Sequence, residues 1–455
     1  MAQDGPGQRP RRNELLAPFQ REARRSAVMP VYYDLSDLFD YARFHATVSG
    51  IQRVSLSILG RLAQKHPDGE VVAVSWDARR RCFMAYEASY FAGGYVYDRD
   101  ALRRRFALSW SVADSARHWL KRAGQRRRPA EASIGRDRGR PVEWRRGDVL
   151  YVPGATWGLY GYRAGLRDAA RQGVAVHQLI HDLIPLLASE HVQAGIPEIF
   201  ASWLDELSTF VHGFIANSEA TRVDLQAWLD VRQRHVPIQV VHLAHQLGAC
   251  ERGAGTADSG EAPASGAGEA VLDAARAPFV LCVGTREPRK NLVSVARAWQ
   301  RLHVRLGADT PRLVVAGSRG WRNEAFESFV GETRSLDGRL LLVERATDRE
   351  LAHLYRTCLF SVFMSFKEGW GLPIGEGLWL GRPVLCSNVS AMPEAGGELA
   401  DYADPASVDA IEAAALRLIV DGKYREERAG NIAAARLRSW GDVAEDVWTA
   451  LHLAR

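Results

Sequence analysis

Twice along this chain of 455 residues, short apolar runs alternate with stretches of helical period, and a segment suited to neither separates the two series. In the first series VYYDLSDL, VVAVSW, DVLYVPG, VAVHQLIHDLIPL, FVHGFIANSEAT and PIQVVHLA read as buried strands with their exits, and SGIQRVSLSILGRLAQ and VDLQAWL read as helices. In the second, APFVLCVG, PRLVVAG, RLLLVE, CLFSVFMS and PVLCSN are strands interleaved with the helical NLVSVARAWQRL, ESFVGETR, DRELAHLYR and IGEGLWLG. Units of this length in strict alternation predict an α/β protein with parallel, doubly wound sheets. Residues 248–276, rich in Ala, Gly and Ser, read as a linker. The expected organisation is a basic tail over 1–28, a Rossmann-like domain over 29–247 and the linker. A second Rossmann-like domain follows over 277–439, facing the first across a cleft, and a last helical stretch runs over 440–455, with Trp440, Val443 and Val447 at helical spacing.

Charge is unevenly spread. Net charge is +5, yet Lys121–Gly147 holds ten Lys/Arg and three Asp/Glu, so the rest of the chain sums to −2. A basic character confined to one insertion, about 101–147, argues against nucleic-acid binding by the folded domains and for local attraction to an anionic surface. Within it, Leu102, Phe106, Trp110, Ala113 and Leu120 fall near one helical face flanked by Arg103, Arg104, Arg117 and Lys121. Such a helix suits peripheral contact with an anionic membrane, or packing on the first domain. The five cysteines form no CxxC pair and fit a reducing compartment. No apolar run is long enough to span a bilayer, and the first residues lack the apolar core of a secretory signal, so a cytoplasmic location is expected.

Two stretches carry chemistry. In FVLCVGTREPRKNLVSVA a strand ends at Gly284, a basic loop with Arg289 and Lys290 follows, and a helix begins near Asn291. Helix N-termini beyond the carboxyl ends of strands, joined by mobile cations, are what recognition of a diphosphate needs. In SFKEGWGLPIGEGLWLGRPVLCSN, Glu368 and Glu376 stand eight positions apart with Gly369, Gly371, Pro373 and Gly375 between them. The glycines let backbone N–H groups approach a ligand, and each carboxylate accepts hydrogen bonds from sugar or ribose hydroxyls. Charges that merely favour a helix N-terminus would need no Gly-x-Gly. His242 and His245 have an i, i+3 spacing that suits a metal, but no Cys or carboxylate completes a site nearby, so they read as structural.

With GTREPRKN, EGWGLPIGE, GRPVLCSNVSAMPEAGG and SWGDVAEDVW in this order, preceded by SGIQRV, IHDLIP and FIANSEAT, the chain resembles the family-4 retaining glycosyltransferases of the group 1 type. The resemblance covers roughly 30–247 and 277–455. It implies the GT-B arrangement of two Rossmann-like domains, with the C-terminal helix crossing back to the first. It also implies transfer of a hexose from a nucleotide-sugar, without metal or cofactor, to a glycan or lipid-linked acceptor. On this resemblance Glu376 holds the ribose, and Glu368 lies by the donor sugar. Gly369, Trp370, Gly371 and Leu372 surround sugar and phosphate, as do Gly284 and Thr285 from the first phosphate loop. Arg289 and Lys290 neutralise the leaving diphosphate, His181 faces the donor sugar from the first domain, and Gly50 lets its loop approach the phosphates or acceptor. Many relatives carry arginine where this chain has Thr285, and Arg286 or Arg289 is its expected replacement. The GTREPRKN and HDLIP variants resemble those of O-antigen and capsule transferases, which makes mannose from GDP-mannose the favoured donor and a rhamnosyl donor the next. A catalytically silent nucleotide-sugar-binding subunit and a sugar-nucleotide epimerase are the competing expectations.

Overall fold

The computed structural model describes residues 30–45, 47–67, 69–93, 97–106, 108, 137–253 and 268–453. The expected tail over 1–28 and most of the Arg-rich insertion, including Trp110, Ala113, Arg117, Leu120 and Lys121, lie outside these residues.

The N-terminal sheet contains β1 (Val31–Asp34), β2 (Val71–Asp77), β3 (Cys82–Glu87), β4 (Arg140–Pro141), β5 (Val149–Val152), β6 (Ala175–Ile180), β7 (Gly213–Ala216) and β8 (Ile238–Val240). Their order is β4-β3-β2-β1-β5-β6-β7-β8. β1, β2 and β5–β8 pair in parallel, while β3 and β4 are antiparallel additions at one edge. Strands covered on both faces carry no polar alternation. All four residues of β5, Val-Leu-Tyr-Val, are buried, and each such aliphatic side chain stabilises by roughly 1.5–3 kcal/mol.

The C-terminal sheet contains β9 (Phe279–Val283), β10 (Arg312–Ala316), β11 (Leu340–Val343), β12 (Ser361–Phe363), β13 (Val384–Ser387) and β14 (Asp401–Ala403), ordered β11-β10-β9-β12-β13-β14. Every pairing in it is parallel. Numbered within the domain, this is the doubly wound order 3-2-1-4-5-6, and the connections reverse between β9 and β12. Ligands of open α/β sheets lie at that switch point, beyond the carboxyl ends of the two strands. The basic loop follows β9 and the Glu-x7-Glu loop follows β12, so the topology alone brings together two motifs far apart in sequence.

The last helix, Trp440–Leu453, returns to the N-terminal domain. It buries Trp440, Val443 and Val447. His66, at the end of the helix Gly50–Lys65, stacks on Trp448 at 3.8 Å, Lys65 pairs with Glu445, and Trp440 Nε1 donates to Gln246 O at 2.9 Å. Two expectations need correction. The N-terminal sheet is not parallel throughout. The expected linker ends in a short helix, Glu269–Ala274, whose Val271 and Ala274 are buried, because two apolar residues three apart give even this small-residue stretch a face to pack. In the helix Arg99–Arg105, Leu102 faces inward, and Phe106 just beyond it is also buried. Their apolar face is therefore taken by the domain core, as in the packing alternative to membrane contact.

Candidate active site between the domains

Asn291 begins the helix Leu292–Leu306 with a φ of 57°, and the preceding turn Pro288–Lys290 presents both cations towards β12. Glu368 receives them. Its Oε1 lies 2.6 Å from Lys290 Nζ and 2.5 Å from Arg289 Nη1. Arg289 also donates to Glu287 Oε1 at 2.6 Å and to Lys367 O at 2.8 Å. Burial alone would raise the Glu368 carboxyl, but the two cations outweigh it and bring it down to about 2. Two cations and two carboxylates thus form a closed set of charges at the switch point. Arg286 is elsewhere. It is 3% exposed and bridges Gly317 O at 3.1 Å and Glu344 at 2.6 Å, tying the ends of β9 and β10 together. Of the two arginines weighed as replacements at the Thr285 position, Arg289 is therefore the one that joins the site. Thr285 itself is exposed beside Gly284.

Gly371, with a φ of 103°, precedes the helix Leu372–Trp379, whose first turn contains Pro373. Glu376 lies inside that helix at 4% exposure. Its Oε1 accepts from Arg53 Nη1 at 2.8 Å and its Oε2 from Tyr355 OH at 3.3 Å, while Arg53 Nη2 reaches Asp348 at 2.6 Å. Burial raises the Glu376 carboxyl, and Arg53 opposes the rise. Glu368 and Glu376 therefore occupy separate polar sites, one against the basic loop and the other against the helix Gly50–Lys65 of the N-terminal domain.

The opposite wall comes from the carboxyl ends of β6 and β7. His181 follows β6, but its side chain turns into its own domain. Nε2 is 2.7 Å from Pro153 O, a group that only accepts, so Nε2 carries the proton. Burial lowers this ring to about 4. What His181 presents to the other domain is its carbonyl. A methyl at Gly369 would stand 1.7 Å from that oxygen, so only glycine permits the approach. Asp182 caps the turn, accepting from Ile184 N at 2.9 Å. Burial raises its carboxyl, offset by the charges of Arg289 and Lys290, so this side chain feels the basic cluster across the interface.

Further contacts join the walls. Ser218 caps the helix Glu219–Val231, accepting from Thr221 N at 3.0 Å. Glu394, from the C-terminal domain, supplies a second cap by accepting from Glu219 N at 2.6 Å and Ala220 N at 2.8 Å. Burial pushes the Glu394 carboxyl up, but His242 and those two N–H groups hold it below its ordinary value. His242 is 3.1 Å from Glu394 and stacks on buried Trp370 at 5.4 Å, while His245 Nδ1 accepts from Arg438 N at 3.1 Å. Lys367 pairs with Asp224 at 2.8 Å. A cavity of about 450 Å³ lies here, lined by Glu219, Ala220, Asp224, Lys367, Ser390 and Glu394 among others. A larger open hollow of about 760 Å³ lies against β2 and β3, away from all these residues. Gly50 opens its helix directly over the other domain, and a methyl there would meet Leu372 Cδ1 at 3.7 Å.

The structure thus brings together Lys290, Arg289, Glu368, Gly369 and the backbone of His181. It sets Gly50, Leu372 and Glu376 in a second cross-domain contact and uses Trp370 for packing. Sequence reasoning missed Arg53, Asp348, Tyr355, Glu287 and Glu394. Arg53 and Glu394 stand within the quoted SGIQRV and AMPEAGG, but nothing local marks their partners.

Residues 277–421 match the family described as glycosyl transferases group 1, so this chain carries a domain of that family. The O-antigen chain mannosyltransferase B of Escherichia coli is 37% identical over 38% of this chain and 46% of its own length. A serotype-specific mannosyltransferase WbdA of Escherichia coli is 26% identical over 79% of this chain and 38% of its own length. The chain spans less than half the length of these curated relatives. Among solved structures, Anabaena Alr3699/HepE in complex with UDP and glucose matches 93% of this chain and 99% of its own, with a TM-score of 0.57 at 12% identity. That likeness is one of fold, and the fold is GT-B.

Proposed function

We propose that the protein is a retaining glycosyltransferase that moves mannose from GDP-mannose to a glycan or lipid-linked acceptor in surface polysaccharide synthesis. The observation that carries the reading is the convergence of Lys290 and Arg289 on Glu368 at the switch point, facing the N-terminal domain. The mannosyltransferase relatives support the sugar, and among the described residues no helix is long and apolar enough to cross a membrane.

In this reading the diphosphate of the donor takes over the two cations that Glu368 and Glu287 hold in its absence. As the bond from the anomeric carbon to the phosphate oxygen lengthens, Lys290 and Arg289 stabilise the charge growing on the leaving oxygen, which is the task a metal performs in other transferases. Glu376 accepts from the ribose hydroxyls. Glu368 accepts from donor-sugar hydroxyls and stays ionised throughout. The acceptor hydroxyl attacks from the face that the phosphate leaves, its proton passes to that phosphate oxygen, and the configuration is retained. No covalent enzyme intermediate is needed. The His181–Gly369 contact closes the site and excludes water that would hydrolyse the donor.

Calorimetric titration with GDP, UDP, dTDP and ADP in the presence of EDTA tests the donor site. Preferential binding of GDP is expected. A folded sample that binds none of the four would overturn the donor site.

A further inference from the structure

Glu376, the residue read as the ribose holder, is not positioned by its own domain alone. Its carboxylate is buried in the C-terminal domain, yet the cation beside it, Arg53, belongs to the first turn of the helix Gly50–Lys65 in the N-terminal domain. The guanidinium is used as a fork. One nitrogen takes Glu376 at 2.8 Å, the other takes Asp348 at 2.6 Å, and the Arg53 side chain is only 13% exposed. A planar fork held at both tips fixes the direction of each bond, which a lysine ammonium would not do. Gly50 packs on Leu372 one turn away, so the same two helix ends that make the ion pair also make the domain contact.

An ionised carboxylate offers about four acceptor positions. Arg53 occupies one on Oε1 and Tyr355 one on Oε2, which fixes the plane of the group. The two that remain suit a pair of vicinal hydroxyls. A glutamate buried to this degree without its cation would tend to take up a proton and lose acceptor strength.

We propose that Arg53 is a positioning residue of the donor site, lent by the N-terminal domain: it orients the Glu376 carboxylate so that a nucleotide's ribose diol is recognised only when the two domains are closed. The inference rests on the donor reading above and adds to it the element through which the first domain senses the nucleotide. Ribose binding and domain closure then favour one another, since each presents Glu376 in the geometry the other requires.

The test is the ratio of affinities for GDP and 2′,3′-dideoxy-GDP, measured by calorimetry on the full chain. The wild type is expected to prefer GDP by on the order of tenfold or more, the scale of hydrogen bonds to a charged group. In Arg53→Ala most of that preference is lost, because affinity for GDP falls while affinity for the dideoxy compound changes little. Arg53→Lys restores only part of it. Asp348→Asn releases one tip of the fork without touching Glu376 and shifts the ratio the same way by less. Should Arg53→Ala fail to fold, Asp348→Asn carries the test. A fold-only role would weaken both ligands together, so an unchanged ratio overturns the inference. A wild type that binds neither nucleotide, or binds both equally, overturns the donor reading itself and the inference with it.

Discussion

The C-terminal sheet is parallel in every pairing and offers ionised groups at its switch point, whereas the N-terminal sheet widens through antiparallel β3 and β4 and buries titratable groups near its strand ends. In the C-terminal domain Arg289 and Lys290 keep Glu368 charged down to about 2. In the N-terminal domain burial lowers His181 to about 4, so the ring is uncharged at neutral pH. Burial also raises Asp34 to about 7 against hydrogen bonds from Ser36 and Tyr162, and raises Asp37 to about 6 against one from Gln52. A cation-rich wall suits an anionic nucleotide diphosphate, the donor class proposed above. The contacts between the domains, His181 with Gly369 and Arg53 with Glu376, join the two halves.

The division can be broken at the joint. Gly369→Ala places a methyl where the His181 carbonyl stands and should hold the domains apart. Turnover is expected to fall by about 100-fold or more, the cost of misplacing reacting groups by an ångström. GDP affinity should fall by less, losing only the ribose preference that closure confers because the cations are on one domain, and steady-state rates beside calorimetry would separate the two effects. Lys290→Ala removes a cation from the leaving diphosphate. A drop in kcat of about 100-fold is expected, on the scale of one lost transition-state donor, with a smaller rise in KM. An unchanged kcat would remove Lys290 from the chemistry.

Smaller effects sharpen the picture. Glu394→Ala strips the cross-domain cap from the helix Glu219–Val231 and should cost about 1 kcal/mol in thermal or denaturant unfolding, the scale of a helix cap. Glu394→Gln keeps one acceptor and should lose less. A pH dependence of stability follows from His181. His181 in the fold takes up a proton only near pH 4, while in the unfolded chain it does so near 6.5. Between those values the unfolded state binds more protons, so this residue withdraws stability as pH falls through the window. His181→Gln should flatten that part of the stability curve, and kcat/KM should show no limb near 6.5 arising from this ring.

What the sequence disclosed follows the same line between local and distant. The β9 loop with Lys290 and the Glu-x7-Glu loop were legible because each lies within one strand–turn–helix unit, where glycine, proline and charge have local meaning. The helix period of Trp440, Val443 and Val447 was legible for the same reason. The partner of Glu376 was not. Arg53 is 323 residues away and reads as an ordinary helical arginine until the domains are set face to face. His181 was found at its strand end, but the direction of its ring depends on Pro153 O, which no periodicity reports. β3 escaped notice because an antiparallel strand breaks the strand–helix rhythm that marks the rest.

One measurement tests the central claim most directly. The protein would be incubated with GDP-mannose and a mannoside acceptor in EDTA, with GDP release followed and the product's anomeric configuration read by NMR. The account predicts GDP release that depends on the acceptor and a new α-linked mannose, the configuration of the donor. Release at the same rate without acceptor, a β-linked product, or no transfer by a sample that binds GDP would contradict it.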